Sequence, residues 1–83
     1  FDLKLQIKEY KVMRKKYRKK NSIIQSALKI FSKQGFYNTT ISDIAKNIGI
    51  SVGNIYNYFP SKKVLARASV TFVTRKLASK LRF

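Results

Sequence analysis

Three helix-ending residues divide the middle of this chain into short segments. Gly35 and Gly49 each follow a run of helix-forming residues, and Pro60 follows a third. Glycine suits the left-handed position just past a helix end, and proline moves the residue before it out of the helical region. The chain between residues 21 and 60 is therefore restricted to three short helices that share one core.

Apolar residues repeat at helical spacing in these segments. In the first, Ile23, Ala27 and Ile30 share one face, which is the pattern of an amphipathic helix. The same kind of repeat continues after Gly35 and again after Gly49. The predicted helices cover about residues 22–34, 41–48 and 52–59.

The turn between the second and third predicted helices has only three residues, Gly49-Ile50-Ser51. Two short helices joined by such a turn, with a third helix completing the core, are typical of a helix-turn-helix domain. A plain basic helical bundle has the same pattern and stays open as the alternative. The predicted N-caps are Asn21 or Ser22 for the first helix, Thr40 for the second and Ser51 for the third.

Charge separates this middle from two strongly basic flanks. The chain has 19 Lys and Arg against 3 Asp and Glu, a net charge of +16. Residues 1–20 and residues 61–83 each carry a net +7, whereas residues 21–60 carry +2. We expect an all-α fold with a basic N-terminal extension (1–20), a three-helix core (21–60) and a longer fourth helix (61–83). Within the extension, residues 14–20 are predicted to form an extended or induced-fit arm, because their like charges repel.

The composition also excludes most enzyme chemistry. Without Cys or His there is no thiol nucleophile, no imidazole base and no ordinary zinc site. The three acids, Asp2, Glu9 and Asp43, do not suggest a paired-carboxylate or metal site. We therefore expect no enzyme activity, no metal and no cofactor. A charge of this size favours a polyanionic partner, with nucleic acid first and an anionic membrane surface second.

The third helix presents an unusual outward face. Ile55 points to the core, whereas Gly53, Asn54 and Asn57 point away from it. Such an uncharged face fits the major groove, where an Asn amide can bind adenine through two hydrogen bonds. Each Asn is otherwise a surface amide or a local cap. Tyr56 and Tyr58 lie on the flanks, where they can donate to phosphate, although Tyr58 beside Phe59 also fits a core position.

Cations and caps next to this face are candidate phosphate ligands. Lys62 opens the fourth helix directly after the third, and Thr40 caps the second helix, where backbone amides favour an anion. Thr40 as a cap and nothing more remains the alternative. The predicted phosphate or minor-groove contacts of the basic arm are Lys16, Arg18, Lys19 and Lys20.

Four stretches together resemble the DNA-binding domain of the tetracycline-repressor (TetR/AcrR) family. They are residues 23–31 (IIQSALKIF), 35–36 (GF), 39–45 (TTISDIA) and 49–65 (GISVGNIYNYFPSKKVL). The resemblance covers about residues 22–68. It implies a cytoplasmic, nucleoid-associated regulator from a prokaryote, usually a repressor, that binds a palindromic operator in double-stranded DNA as a homodimer.

The resemblance also implies which residues contact DNA, and where this chain differs from the family. The matching positions are Thr40, Ser42, Ser51, Val52, Gly53, Asn54, Tyr56, Tyr58 and Lys62. Val52 and Asn57 depart from the residues that are frequent at their positions, so base preference does not transfer. We expect the family's C-terminal ligand-binding and dimerisation domain to be absent from these 83 residues, which would then be monomeric or weakly associated. The last two turns of the fourth helix are predicted to fray or to pack against a neighbouring chain.

Two functions of other classes remain as alternatives. A cationic membrane-surface protein would carry a wide apolar stripe opposite Lys and Arg on one helix, which the fourth helix partly provides. An RNA-binding module would use Tyr56, Tyr58 and the basic arm for stacking and charge. The DNA-binding interpretation predicts no membrane partner.

Overall fold

The structure is a computed structural model that describes residues 3–81, and within them it is an all-α fold. The four helices are α1 (Leu3–Gln34), α2 (Ile41–Ile48), α3 (Val52–Tyr58) and α4 (Lys62–Lys80). No strand occurs among the residues described. This confirms the predicted fold class, whereas residues 1–2 and 82–83 of the two predicted flanks lie outside the described part of the chain.

The first helix is much longer than predicted. The expected start at Asn21 or Ser22 is wrong, because α1 runs without interruption from Leu3. Ser22 does not cap a helix; its hydroxyl donates to the Arg18 carbonyl one turn earlier, at 3.0 Å. Residues 14–20 are therefore helical and not an extended arm. Their Lys and Arg side chains are good helix formers, and repulsion between exposed, solvent-screened charges is too weak to interrupt the helix.

The core lies where the second half of α1 meets the other three helices. Ile23, the first buried residue among those described, is fully covered. A buried serine also joins α1 to α2 by hydrogen bonds, since the Ser26 hydroxyl lies 2.8 Å from Asn47 Oδ1 and 3.2 Å from the Ile44 carbonyl. The side chains at the centre of the core are Ile23, Ile44, Ile55, Phe59 and Leu65.

The glycines end their helices in the way that the sequence predicts. Gly49 has φ 72° and its N–H bonds the carbonyls of Ala45 and Lys46. The N–H of Ile50 then bonds the Ala45 carbonyl at 3.1 Å, which closes the end of α2. Gly35 has φ 84° after α1. These left-handed positions reverse the chain quickly enough for α2 and α3 to be joined by three residues.

The fourth helix has a buried inner side and an exposed outer side. Ser61 caps it by accepting from the Val64 N–H at 3.2 Å, and Leu65 and Ser69 face the core. The helix continues to Lys80, so the expected fraying of its last two turns is not seen within the described residues. Val70 and Leu77 lie on its exposed side.

The core predicts different losses of stability from two substitutions that shorten a side chain. Ile44→Ala leaves a cavity at a site with 0% exposure, so we expect it to lower the free energy of unfolding by about 2–5 kcal/mol. Val70→Ala removes methyl groups from a side chain that is 66% exposed and should change it by less than about 0.5 kcal/mol. Urea unfolding followed by circular dichroism measures both. Equal losses would mean that Ile44 is not part of a packed core.

Candidate nucleic-acid interface

A reciprocal capping box forms the amino end of α2. The Thr40 hydroxyl accepts from the Asp43 N–H at 3.1 Å, and the Asp43 carboxylate accepts from the Thr40 N–H at 3.0 Å. Thr40 and Ser42 are both exposed at this end. Thr40 is thus a cap, as predicted, and its hydroxyl hydrogen remains able to donate to a phosphate.

The capping box also perturbs the titration of Asp43. The Thr40 N–H that donates to its carboxylate holds the pKa of Asp43 below the usual range. The Thr40 hydroxyl, the Gln34 amide at 3.4 Å and the positive charge of Lys46 lower the pKa further, while partial desolvation opposes them. The carboxylate is therefore ionised at neutral pH, where it stabilises the positive end of the helix.

The outward face of α3 is uncovered. Ser51 caps the helix through the Asn54 N–H at 3.1 Å, and Ile55 on the inner side has no exposed surface. Gly53 and Asn57 are exposed and Asn54 is half-buried. The outward side chains carry no charge, although the whole chain carries +16. Val52 and Tyr56 border this face with 36% and 48% exposure.

Within residues 3–81, no side chain packs closely against Gly53. A Cβ built on it would meet nothing closer than Ser51 Oγ at 3.9 Å, and its φ is not positive. Glycine inside a helix costs about 0.5–1 kcal/mol relative to alanine. Neither the turn geometry nor an internal contact explains why this position lacks a side chain.

Lys62 joins the start of α4 to the loop before α2 through hydrogen bonds. Its ammonium group donates to the carbonyls of Phe36 at 2.8 Å and Thr39 at 3.0 Å, and lies 4.2 Å from the centre of the Phe36 ring. Two of its three donors are thus used inside the protein. Sequence reasoning placed Lys62 near the interface but missed these contacts, because the partners are backbone carbonyls distant in the chain. Tyr58 is half-buried against the core, as its alternative interpretation proposed.

The cations of the N-terminal extension lie along α1. Lys20 is at the edge of the core, with its ammonium 5.7 Å from the centre of the Phe59 ring just after α3. Lys16, Arg18 and Lys19 are exposed within the preceding turn. At 100° per residue Lys16, Lys19 and Lys20 fall within about 100° of one another, whereas Arg18 points away from all three. One straight duplex therefore cannot contact all of them equally.

In the range 3–81 there is no group of three or more His, Cys, Asp or Glu side chains that could hold a metal ion. In the same range no helix combines the length and the apolar character needed to cross a bilayer.

Comparison with known proteins identifies the domain. Residues 23–69 match the sequence profile described as "Bacterial regulatory proteins, tetR family", which is more than half of the chain. The chain belongs to the TetR family. The match includes the second half of α1, all of α2 and α3, and the start of α4, so the resemblance drawn from the sequence is confirmed. The TetR family consists of DNA-binding regulators, and the chain carries their helix-turn-helix domain.

Two similar proteins are bacterial regulators. The HTH-type transcriptional regulator YuxN of Bacillus subtilis is 36% identical over 63 residues, which is 76% of this chain and 22% of that protein. The biofilm operon icaADBC HTH-type negative transcriptional regulator IcaR of Staphylococcus aureus is 41% identical over 51 residues, 61% of this chain and 27% of that protein. The matched region thus spans about a quarter of these relatives. No solved structure matches the chain significantly.

The capping box predicts how stability depends on pH. Because the pKa of Asp43 is lower in the folded state, its contribution is present above the unfolded pKa of about 3.9 and is lost as the pH falls through the folded value. Asp43→Asn should therefore lower the urea midpoint at pH 7, and its difference from the wild type should shrink toward pH 2.5. Glu9→Gln removes a charge from the exposed part of α1, and its urea midpoint should depend on pH as that of the wild type does. A difference for Asp43→Asn that stays constant with pH would contradict the role of its charge.

Proposed function

We propose that this chain is the DNA-binding part of a transcriptional repressor that places α3 in the major groove. The observation that carries the proposal is the outward face of α3, which is uncharged and uncovered in a chain of net charge +16. A helix surface that faces only water ordinarily carries charged residues such as Lys and Glu, and this one carries none. A helix presented in this way fits the major groove, which accepts one α-helix.

Gly53 gives independent support. Its missing side chain has no explanation inside the protein, where a Cβ would meet open space apart from Ser51 Oγ at 3.9 Å. A partner that approaches the backbone of α3 closely would explain it, since a side chain there would hold the helix away. DNA in contact with the first turn of α3 is such a partner.

Asn54 and Asn57 are the proposed base readers. Their amides can each donate to and accept from the major-groove edge of adenine, and Val52 can contact a thymine methyl group. Asn54 is better placed, because it follows the capped end of α3 by one turn. The proposed DNA contacts are Thr40, Ser42, Ser51, Val52, Gly53, Asn54, Tyr56, Asn57, Tyr58 and Lys62, with Lys16, Arg18, Lys19 and Lys20 from α1.

Phosphate contacts would hold the helix in register. Thr40 and Ser42 lie at the amino end of α2, where free backbone amides attract a phosphate. Lys62 has one donor left after its bonds to the carbonyls of Phe36 and Thr39. Its main contribution is therefore to fix the loop that presents Thr40, and a phosphate contact would be additional.

The proposal also covers the symmetry of the operator and the direction of regulation, for which the similar proteins give support. One α3 reads only one half-site, so we expect a palindromic operator bound by two copies of the whole protein in the bacterial cytoplasm. The negative regulator IcaR supports repression over activation. An isolated copy of this domain should bind a single half-site weakly, because it lacks the gain from linking two binding modules.

Selection from a random pool of duplex DNA, at fixed salt, tests the proposal. We expect one short motif to be enriched, with an inverted repeat among the strongest binders. Asn54→Ala should lose about 1–3 kcal/mol on that motif and should accept other bases at one position. A pool that stays random, or stronger competition by single-stranded RNA than by duplex, would contradict base reading by α3.

Lys62→Met and Lys63→Met form a matched pair of controls in the same assay. Both remove one positive charge at the start of α4, but only Lys62 bonds the loop carbonyls. Lys62→Met should weaken binding to all sequences alike and by more than Lys63→Met, because the loop that carries Thr40 is released. Equal losses from the two substitutions would mean that Lys62 contributes to DNA binding only through its positive charge.

A further inference from the structure

The first eighteen residues of α1, residues 3–20, form a helical segment outside the core. None of the residues 3–20 is buried, and burial begins at Ile23. The family match also begins at residue 23, so it does not account for this segment. A single helix of this length is marginal in water unless a partner packs against it.

The exposed apolar residues of this segment follow a heptad pattern. Leu3, Ile7, Tyr10, Arg14 and Tyr17 are spaced alternately by four and three residues, and we call them the α1 seam. The four apolar members are each exposed by half or more. Such spacing places them in one line along a helix that packs on another helix. The apolar line is interrupted by a charge at Arg14.

The seam leads into a groove between α1 and α4. Tyr17 and Ile24 line one wall of the groove, and Ala68 and Phe72 line the other. Lys20, Arg75 and Lys76 are also among its lining residues. The partner surface is thus an apolar line that continues into a concave, basic groove.

The charges beside the seam argue against pairing with a second copy of the chain. Lys11 and Arg18 lie at the flanking positions on one side of the seam, and Lys20 on the other. Flanking positions of opposite charge select partners in helix pairs, and like charges there repel. Glu9 does not lie at a flanking position. A complementary partner therefore needs carboxylates where this helix has cations.

We infer that the α1 seam docks an acidic amphipathic helix of a partner protein. Apolar side chains of that helix would cover Ile7, Tyr10 and Tyr17, and its Asp or Glu residues would pair with the flanking cations. A carboxylate opposite Arg14 would complete the line, since a charge enclosed between two helices needs a partner. The inference does not depend on the proposed operator binding.

The shape of the surface favours a helix over the other polyanions. A flat bilayer can meet the seam but cannot fill the groove between α1 and α4. DNA can neutralise the cations but does not cover Leu3 and Ile7 with apolar surface. A helix can do both, because its apolar line follows the seam while its end enters the groove.

The test uses the full 83-residue chain and a synthetic helical peptide of three heptads. The peptide has Leu at the core positions and Glu at the flanking positions, and a control peptide has Lys in place of Glu. We expect the wild type to bind the Glu peptide and not the Lys peptide. Ile7→Ser, at a seam side chain that is 50% exposed, should weaken binding by about tenfold.

Val12→Ser is the matched control. Val12 is also β-branched and is 48% exposed, but it lies on the side of α1 opposite the seam. It should change binding less than about twofold, which is small against the tenfold loss. Both substitutions lie before the first buried residue, so circular dichroism and unfolding should show an intact core in each.

Three outcomes would overturn the inference. The first is equal weakening by Ile7→Ser and Val12→Ser, and the second is no preference for the Glu peptide over the Lys peptide. The third is binding to phosphatidylglycerol vesicles that depends on Ile7, without binding to the Glu peptide, which would make a bilayer the partner. Selection of operator DNA by Ile7→Ser should remain as in the wild type, and this separates the seam from the proposed function.

Discussion

Burial of Ile55 and Phe59 determines how α3 is presented. The helix has seven residues and cannot be stable alone, so its position depends on these two side chains, which are 0% and 2% exposed. Once they point into the core, the opposite side of the helix must face outward. The outward orientation of Gly53 and Asn57 therefore follows from the packing of these two side chains.

Short polar contacts keep this presentation rigid. Ser26 fixes α1 to the carboxyl end of α2, and the Thr40–Asp43 capping box defines where α2 begins. Lys62 then joins the start of α4 to the loop before α2. The Ser26 and Lys62 contacts join separate elements, whereas the capping box is local to α2. Together they hold the amino ends of α2 and α4 and the outward face of α3 in fixed relative positions.

The parts of the fold that the sequence predicted correctly are those determined by local signals. Thr40, Ser51 and Gly49 act through hydrogen bonds to residues three or four positions away, so the ends of α2 and α3 can be derived from neighbouring residues. The outward direction of Asn57 follows from helical periodicity in the same way. These features require no knowledge of the tertiary structure.

Features that depend on distant or competing interactions were not predicted. The Lys62 contacts join residues 23 and 26 positions apart and involve backbone carbonyls, which leave no mark in the side-chain pattern. The start of α1 was placed at Asn21 or Ser22 because both residues are good caps. Here the strong helix propensity on both sides outweighs the capping signal, and like-charge repulsion in residues 14–20 does not break the helix.

The continuous α1 helix connects the two proposed surfaces. Its second half supports α2 and α3, while its first half carries the seam and eight of the chain's 16 net charges, counted over residues 3–20. Cations that contact phosphate strengthen binding to every DNA sequence alike. An acidic helix on the seam would neutralise part of this charge without touching the face of α3. Such a partner would therefore lower affinity for DNA in general more than discrimination between sequences, because discrimination comes from contacts to base edges.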